Sequence, residues 1–569
     1  MSFLVTILAS KSNEFGLAKD VEGLRRVFGS SKYSVRHCDP LEPPSYSDLA
    51  IHLEVPAFGW APWSAKNCLV VNPELYEAAA WNSYLCRFDH VVTKDRTALA
   101  EFKEIVGEKA VFIPWSAPPI SSAAAKTKDE FLWVLGASKN KRAYVPTLLR
   151  AWKASYPPLH ITATADLGDL LTGLNVLPNV TIRIGDIPLK ERETMRAQYK
   201  GHVCCSRAEG FGYTAAEATG SGAFTILNSL PCYKDTYEGT ARVHFLPSNL
   251  ENRYFDVGAS VEELQRSLDA AFVEFSKSKN SSKSSVDTVQ RFQDFTNTWR
   301  NLVPICARPA ELKYLPPKLE EADCPPISVV TLIYNRKKFF DLACHSMMVS
   351  DYPKDKIEWV IVDDSDDLAE QNSDRIVAVG NNAAPMKFVY VPLKKKTPVS
   401  EKRNLGVAAA TNDVILFVDD DDHYPQTSFR RRVAWLTLHP WRPKVVAATT
   451  IACYDLVKGI SAVNVPPQDI PLSQRISEAT LAFYKSFWAE KKFPKDILVG
   501  EGEEFLQGRT ADFLEIPPQH IIVAFSHGKN VSSRRVPSGA DVTPGCFWGF
   551  PKEFLVFVHG LAGINVIDQ

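Results

Sequence analysis

The chain has 569 residues and a formal net charge of −1, so it is long enough for several domains of about 100–200 residues and lacks the basic excess of most nucleic-acid binders. No apolar run reaches the roughly 18–20 residues of a membrane span, and the apolar N-terminal segment, with no basic residue before it, predicts a β-strand rather than a signal peptide. The 11 cysteines include no CxxC pair, which argues against zinc sites and a disulfide framework and predicts a cytoplasmic location.

Short apolar runs alternate with helical stretches along almost the whole chain. In chain order, examples are VTILAS, NCLVVN, FLWVLGAS, ISVVTLIY, EWVIVDD and DVILFVDD. Runs that are apolar at every position are typical of parallel strands buried on both faces. Strands that alternate with helices indicate α/β layers. The sequence therefore predicts an α/β protein.

Three polar or proline-rich stretches predict where the chain divides. SAPPISSAAAKTKDE (116–130) separates two Rossmann-like lobes, and KSKNSSKSS (277–285) is an exposed loop ahead of a helix. Residues 307–326 have the proline and charge content of a semi-extended linker. The predicted units are a first lobe over 1–118, a second lobe with a returning helix over 119–310, a linker over 311–326, and a C-terminal domain over 327–569.

The clearest motif of the N-terminal half is HVCCSRAEGFGYTAAEATGSGAFTILN, residues 202–228. A strand is predicted to end near Ser206, a glycine-bearing turn follows, and a helix begins near Tyr213 or Thr214. The free N–H groups and positive partial charge of a helix N-terminus suit a phosphate group. Glu209 precedes this helix and Glu217 lies inside it.

EGFGYTAAE resembles the E-x7-E motif of GT-B glycosyltransferases of family 4, and FLWVLGASKNKRAYVPTLLRAW resembles the opening of their second lobe. The resemblance implies a donor site in which Glu209 lies near the sugar, Glu217 near the ribose and Lys141 near the diphosphate, with Gly210 and Gly212 in the donor-binding turn. It also implies retention of anomeric configuration without a metal. The arginine common soon after the family's glycine is absent, and Ser138 stands near its place.

In the C-terminal part, three acidic clusters follow apolar runs. WVIVDDSDD contains Asp363 and Asp364, ILFVDDDDHY contains Asp419 to Asp422, and ILVGEGEEFLQGR contains Glu501, Glu503 and Glu504. Ligands of open parallel sheets bind at the carboxyl ends of the strands. Mg²⁺ and Mn²⁺ prefer oxygen ligands such as carboxylates and substrate phosphates. A metal–nucleotide site is therefore predicted, although a solvated acidic cap explains four aspartates alone equally well.

The order of these stretches, from ISVVTLIYNRKKFF to EKRNLGVAAATNDVILFVDDDDHY, resembles the GT-A glycosyltransferases of family 2. The resemblance implies that Asp363 and Asp364 bind the nucleoside, that Arg403 lies near the nucleotide, and that the DxD motif of the family falls on Asp419 and Asp421. Asp419 and Asp420 are assigned to the donor and Asp421 and Asp422 to a divalent metal, Mn²⁺ or Mg²⁺. The register remains open, because Asp420 and Asp422 fit the motif as well.

The same resemblance implies a catalytic base at the start of a late helix, which deprotonates the acceptor hydroxyl. Glu504 is the predicted base and Glu503 the predicted acceptor contact. If the family motif aligns in a different register, Glu501 takes the place of the base. An ordinary acidic helix N-terminus is the alternative to any catalytic role. His527 follows another apolar run and is the predicted metal ligand, with a simply packed histidine as the alternative.

Taken together, the patterns predict a chain with two enzymes, one retaining and one inverting and metal-dependent. Both are expected to use UDP- or GDP-sugars and to extend a glycan. One alternative is that only the C-terminal half is catalytic and the N-terminal half binds glycan or positions the acceptor. Another is a non-enzymatic protein that binds nucleotide-sugar or glycan. A third is a transferase that acts on nucleic-acid bases, but the near-neutral net charge argues against it, so no nucleic-acid partner is expected.

Overall fold

The computed structural model describes residues 2–13, 16–119, 126–136, 138–278, 286–306, 317–518, 520–527, 530, 536, 545–546 and 548–564. Parts of the stretches at which we predicted divisions, residues 120–125, 279–285 and 307–316, lie outside these ranges. None of the described helices is long and apolar enough to cross a membrane.

The first unit is built on a six-stranded parallel sheet whose central strands are largely buried and whose edge strand Tyr33–Cys38 is half-buried. Its strands are β1 (Phe3–Leu8), β2 (Tyr33–Cys38), β3 (Ser47–Leu53), β4 (Ser64–Val70), β5 (His90–Thr93) and β6 (Ala110–Phe112), and its helices are α1 (Gly16–Val27), α2 (Ala78–Trp81) and α3 (Arg96–Val106). The strand order is β2-β1-β3-β4-β5-β6. Helix α3 begins where Asp95 accepts a hydrogen bond from the N–H of Ala98, at 2.8 Å, which is a typical N-cap.

The second unit repeats this plan. Its strands are β7 (Lys128–Gly136), β8 (Leu159–Ala163), β9 (Val180–Ile184), β10 (Tyr199–Val203), β11 (Phe224–Asn228), β12 (Val243–Leu246), β13 (Leu250–Glu251) and β14 (Phe255–Asp256), and its helices are α4 (Lys139–Ala151), α5 (Gly168–Leu171), α6 (Leu189–Gln198), α7 (Tyr213–Gly220), α8 (Pro231–Tyr237), α9 (Val261–Ser278) and α10 (Thr288–Leu302). The main sheet has the order β12-β11-β10-β7-β8-β9, all parallel, and β13 and β14 form a small hairpin. Helix α10 returns to the first unit, where Phe295 and Trp299 pack against Trp115.

The third unit has a mixed sheet. Its strands are β15 (Ile327–Ile333), β16 (Ile357–Asp363), β17 (Lys387–Pro392), β18 (Val414–Phe417), β19 (Val445–Ala447), β20 (Ile451–Asp455), β21 (Ile460–Asn464), β22 (Ala482–Tyr484), β23 (Phe513–Glu515) and β24 (Val523–Ser526), and its helices are α11 (Phe340–Val349), α12 (Ser373–Asn381), α13 (Val399–Ala409), α14 (Ser428–Leu438), α15 (Leu472–Arg475), α16 (Lys485–Glu490), α17 (Glu501–Leu506) and α18 (Lys552–Ala562). The order is β17-β16-β15-β18-β22-β19-β23, with β22 antiparallel to both neighbours, and β21-β20-β24 form a second sheet. The predicted α/β class, with Rossmann-like parallel sheets, is confirmed.

The first and third units share one apolar core. Phe58, Trp81 and Tyr84 of the first unit belong to the same buried cluster as Phe487 and Phe505 of the third. Burying apolar side chains across such a boundary is the main favourable term in folding, so the two units stabilise each other.

Polar contacts accompany this shared core. The indole N–H of Trp81 donates to the carbonyl of Gln468 at 2.8 Å, and Arg87 donates to the carbonyl of Phe513 at 2.9 Å. The ring of Trp63 lies 5.6 Å from that of Trp435. The two hydrogen bonds satisfy polar groups that a separation of the units would leave without these partners.

Candidate active site

Three neighbouring parallel strands of the third unit end beside one another. Strand β15 lies between β16 and β18 and pairs with both in parallel. Asp363 is the last residue of β16, and Asp419 follows β18. Since carboxyl ends of parallel strands meet at one edge of a sheet, the two acidic clusters predicted from sequence come together there.

A cavity of about 670 Å³ opens at this edge. One wall carries Asp364 and the four aspartates from Asp419 to Asp422. Further polar residues lining it are Tyr334, Arg336, Lys396, Thr397, Lys402, Arg403, Thr449, Asn464, Gln474, Arg475, Ser477, Glu478, Glu501 and Asn530. The volume and the opposed charges suit a polar, anionic small molecule.

The aspartates are held by cationic and polar neighbours. The guanidinium Nη1 of Arg336 lies 2.9 Å from Asp420 and 2.5 Å from Asp421. Burial and the neighbouring aspartates raise the pKa of Asp420 to about 7, although Arg336 opposes this shift. Burial acts in the same direction on Asp421, but Arg336 and a hydrogen bond from His527 outweigh it and lower the pKa of Asp421. Like charges in a row are therefore tolerated because the half-buried Arg336 compensates them.

The carboxylates fit a hard divalent cation. Asp419, Asp421 and Asp422 each offer an oxygen, and these oxygens all lie within 4.8 Å of one another. The Oδ2 atom of Asp420 is buried and has no hydrogen-bond partner among the described residues. Oxygen-rich sites of this kind suit Mg²⁺ or Mn²⁺. His527, the predicted metal ligand, is not part of this group of candidate ligands. Its Nε2 instead contacts Asp421 Oδ2 at 3.1 Å.

Helix α13 brings two buried cations to the cavity. Lys402 forms an ion pair with Asp364 at 2.6 Å, and Arg403 Nε lies 2.5 Å from Glu501. Arg403 also approaches Asp419 at 4.0 Å, and its Nη1 is buried without a hydrogen-bond partner among the described residues. A buried donor without a partner is costly unless a ligand satisfies it. Arg403 is thus a candidate contact for an anionic group in the cavity.

Asp363 faces a different environment. Its Oδ2 accepts a hydrogen bond from the hydroxyl of Tyr390 at 3.0 Å, and its Oδ1 accepts one from the N–H of Ser365 at 3.0 Å. It is not among the residues that line the cavity, whereas Asp364 is. Its predicted role in nucleoside binding stays a prediction.

The late acidic helix divides into an inner and an outer face. Glu501 is buried in α17, whereas Glu503 and Glu504 are exposed and do not line the cavity. Glu503 accepts a hydrogen bond from Gln474 at 2.7 Å. The predicted roles of Glu503 and Glu504 stay predictions.

The motif residues of the second unit also meet at strand ends. Lys141 Nζ lies 3.3 Å from Glu209 Oε2 and donates to Thr214 at 3.2 Å. Gly212 has a φ of +85°, a left-handed conformation that suits glycine, immediately before α7. This turn places Glu209 beside the N-terminus of α7, as the motif predicts.

The same motif contacts the first unit closely. Glu217 forms ion pairs with Lys19 of the first unit and, at 2.6 Å, with Arg196. A Cβ atom at Gly210 would lie 2.5 Å from the side-chain amide oxygen of Asn72, so a larger residue here would force that amide of the first unit to move. The roles predicted for Glu217 and Gly210 in donor binding stay predictions.

Several residues around the C-terminal cavity were not singled out from the sequence. Arg336 follows β15 at the same sheet edge as the aspartates, so its place after an apolar run was a usable signal. Glu478, Arg475 and Asn530 come from irregular or short segments with no motif. Only the tertiary fold brings them to the cavity.

Comparison with known proteins gives a partial match. Residues 328–453 match the model of Glycosyl transferase family 2. The poly(ribitol-phosphate) beta-N-acetylglucosaminyltransferase TarS of Staphylococcus aureus is 27% identical over 112 residues, which is 20% of this chain and 19% of TarS. The chain therefore spans about a fifth of the length of this curated relative.

The solved structures that are similar to parts of this chain include a mannosyltransferase and a sucrose-phosphate synthase. The mannosyltransferase PcManGT from Pyrobaculum calidifontis, in complex with GDP-Man and Mn²⁺, is 16% identical over 37% of this chain and 58% of its own, with a TM-score of 0.29. Sucrose-phosphate synthase from Thermosynechococcus elongatus is 13% identical over 53% of this chain and 98% of its own, with a TM-score of 0.41. The part of the chain that matches Glycosyl transferase family 2 is residues 328–453, which lie within the third unit.

Proposed function

We propose that the C-terminal unit is a metal-dependent glycosyltransferase that moves a sugar from a nucleotide-sugar to a glycan. The observation that carries the proposal is the cavity of about 670 Å³ in which four successive aspartates face Arg336, Lys402 and Arg403. The family 2 match over residues 328–453 supports the same activity. UDP- or GDP-sugars are the proposed donors, and the proposed location is cytoplasmic.

The residues divide into two groups in this proposal. Asp419, Asp421 and Asp422 would hold Mn²⁺ or Mg²⁺, which neutralises the diphosphate and assists its departure. The unpartnered Nη1 of Arg403 would donate to a phosphate oxygen, since charge-assisted hydrogen bonds to phosphate are strong. Asp364, fixed by Lys402, would contact the nucleoside.

The test is a panel of UDP- and GDP-sugars with wild type and Asp421→Ala, with and without EDTA. We expect transfer by wild type to disappear with EDTA and to return with Mn²⁺, and Asp421→Ala to lose at least about 100-fold in kcat/KM. Asp355→Ala is the matched control, because Asp355 is exposed and precedes β16 at the opposite end of the strand. Full transfer by Asp421→Ala would reject the proposal.

A second candidate function is a separate, retaining and metal-independent transfer by the first two units. The ion pair of Lys141 with Glu209 beside the N-terminus of α7 favours it, because both groups come from one unit and are pre-organised. The alternative is that these units bind glycan or position the acceptor. The ion pairs of Glu217 with Lys19 and Arg196 favour that alternative, since they occupy its carboxylate.

Glu209→Ala distinguishes these two possibilities. If both halves are catalytic, we expect two activities. Glu209→Ala should then remove only the activity that resists EDTA. Asp421→Ala is expected to remove only the EDTA-sensitive one. Loss of both activities in Asp421→Ala alone would reject the two-site proposal, and intact transfer of every sugar by Glu209→Ala would support the acceptor-positioning role.

The proposed units keep the boundaries predicted from sequence, 1–118, 119–310, 311–326 and 327–569. Successive additions to one glycan would benefit from this covalent fusion, because tethering raises the local concentration of the intermediate. The two halves, co-expressed as separate chains that form a soluble complex, would argue against this coupling if they worked as fast as the intact chain.

A further inference from the structure

Glu478 enters the cavity from an antiparallel part of the sheet. It begins a short 3₁₀ turn, Glu478–Thr480, that leads into β22. Because β22 runs antiparallel to β18, its amino end lies beside the carboxyl end of β18, where Asp419 follows. Glu478 therefore lines the same cavity as the aspartates, although it is about 60 residues away along the chain.

The other cavity carboxylates outside the aspartate run have cationic partners. Asp364 is paired with Lys402 at 2.6 Å, and Glu501 with Arg403 at 2.5 Å. Within the described residues, no lysine, arginine or histidine forms an ion pair with Glu478. A carboxylate that is not neutralised by a fixed cation is the better proton acceptor.

Gly502 fixes the position of this carboxylate. Its backbone N–H donates to Glu478 Oε1 at 3.2 Å. A Cβ atom at position 502 would lie 2.9 Å from the same oxygen and 2.5 Å from Ile476. A side chain at position 502 would force the ends of the Ile476 and Glu478 side chains to move, so glycine lets the carboxyl group of Glu478 rest against the start of α17. The exposed Glu503 and Glu504 leave this inner position to Glu478.

We propose that Glu478 is the general base of the C-terminal site, which deprotonates the acceptor hydroxyl. This inference rests on the proposed glycosyltransferase function. The acceptor proton passes to the Glu478 carboxylate, and the acceptor oxygen forms the new bond to the anomeric carbon. The bond from that carbon to the diphosphate breaks, and its electron pair leaves with the nucleotide.

The electrostatic surroundings agree with this role. Burial and the neighbouring carboxylate of Glu501 raise the pKa of Glu478 to about 7, and Arg403 opposes the shift. A general base works best when its pKa lies near the operating pH, because it is then both deprotonated and basic.

The test compares wild type with Glu478→Gln, which keeps the side-chain size and removes the carboxylate. With the donor that wild type uses, we expect kcat to fall about 100- to 10,000-fold. The Kd of the Mn²⁺–nucleotide complex, measured by calorimetry, should change by less than about threefold, because the base acts in the transition state. Gly502→Ala should also lower kcat, since its methyl group displaces the carboxylate without removing it.

Glu490→Gln is the matched control, because Glu490 is exposed on α16 and does not line the cavity. A kcat of Glu478→Gln within about threefold of wild type would overturn the assignment. Loss of transfer in Glu504→Gln, with Glu478→Gln still active, would return the role to Glu504. Lost nucleotide binding in a folded Glu478→Gln would also overturn it, because the residue would then serve the donor. Absence of transfer by wild type with every donor would reject the proposed function itself.

Discussion

The Nε2 atom of His527 lies 3.1 Å from Oδ2 of Asp421, and Asn530 Nδ2 donates to the same oxygen at 3.2 Å. The ring of Phe339 lies against the imidazole, with centroids 4.3 Å apart. His527 and Asn530 therefore fix the orientation of the carboxylate that we expect to hold the cation.

Replacing His527 by Ala should weaken Mn²⁺ binding about 10- to 100-fold, because residues that orient metal ligands contribute that much to affinity. The measurement is calorimetric titration of Mn²⁺ in the presence of UDP or GDP. His160→Ala, in the second unit, is the control. If His527→Ala bound Mn²⁺ with unchanged affinity, His527 would neither bind the cation nor orient the carboxylate of Asp421.

Arg336 is expected to stabilise the metal-free protein. Its guanidinium contacts Asp420 and Asp421, so Arg336→Met leaves four neighbouring aspartates without this compensation. Breaking such a buried pair should lower the free energy of unfolding by about 3 kcal/mol. Mn²⁺ should restore more stability to Arg336→Met than it adds to wild type, because the cation replaces the lost positive charge.

Chemical denaturation with and without Mn²⁺ measures both effects. Arg375→Met is the control, since the Arg375–Asp341 ion pair is partly exposed to solvent and should contribute little. Equal stabilisation of wild type and Arg336→Met by Mn²⁺ would contradict the prediction.

The aspartates that line the cavity can be predicted from the sequence, because their position depends on a local pattern. Asp364 and Asp419 each follow an apolar run, and parallel strands bring such ends to one edge. No local sequence pattern predicts that Glu478 lies at this edge, because only the antiparallel pairing of β22 with β18 brings it there. Strand order and direction depend on long-range packing, which a short motif does not encode.

The shared core of the first and third units was missed for a related reason. Trp81 and Tyr84 are ordinary core residues in sequence, and nothing in their local pattern says which unit they face. Their position became clear only from the cluster that they form with residues of the third unit, such as Phe487.

His439 makes the contact between these units sensitive to pH. Its Nδ1 accepts a hydrogen bond from the N–H of Trp441 at 3.2 Å, so its Nε2 carries the proton and donates to the carbonyl of Pro62 at 2.9 Å. Burial lowers the pKa of His439 to about 4, although the Pro62 carbonyl opposes the shift. The folded protein thus holds this imidazole neutral.

The sign of the pH dependence follows from this shift. In the unfolded chain the pKa is about 6.5, so stability from the neutral imidazole is complete above that pH and is lost as the pH falls towards 4. The full loss amounts to about 3 kcal/mol. His439→Gln retains a donor for Pro62 and does not titrate. We therefore expect its stability deficit to shrink between pH 7 and pH 5 in urea denaturation, and a constant deficit would contradict this prediction.

The third unit is expected to depend on the first for its solubility. A fragment of residues 327–569 loses the apolar partners that Phe58, Trp81 and Tyr84 supply, and leaves Phe513 without the hydrogen bond from Arg87. Large contiguous apolar patches on an isolated unit promote association.

We expect this fragment to bind a hydrophobic dye and to aggregate, whereas co-expression with residues 1–306 should restore a soluble complex. The readout is size-exclusion chromatography with dye fluorescence. Leu368→Ser is the control and should change neither measurement, because Leu368 is already exposed in the intact chain. A monomeric 327–569 fragment with the unfolding midpoint of the intact chain would show that the shared core contributes nothing to folding of the third unit.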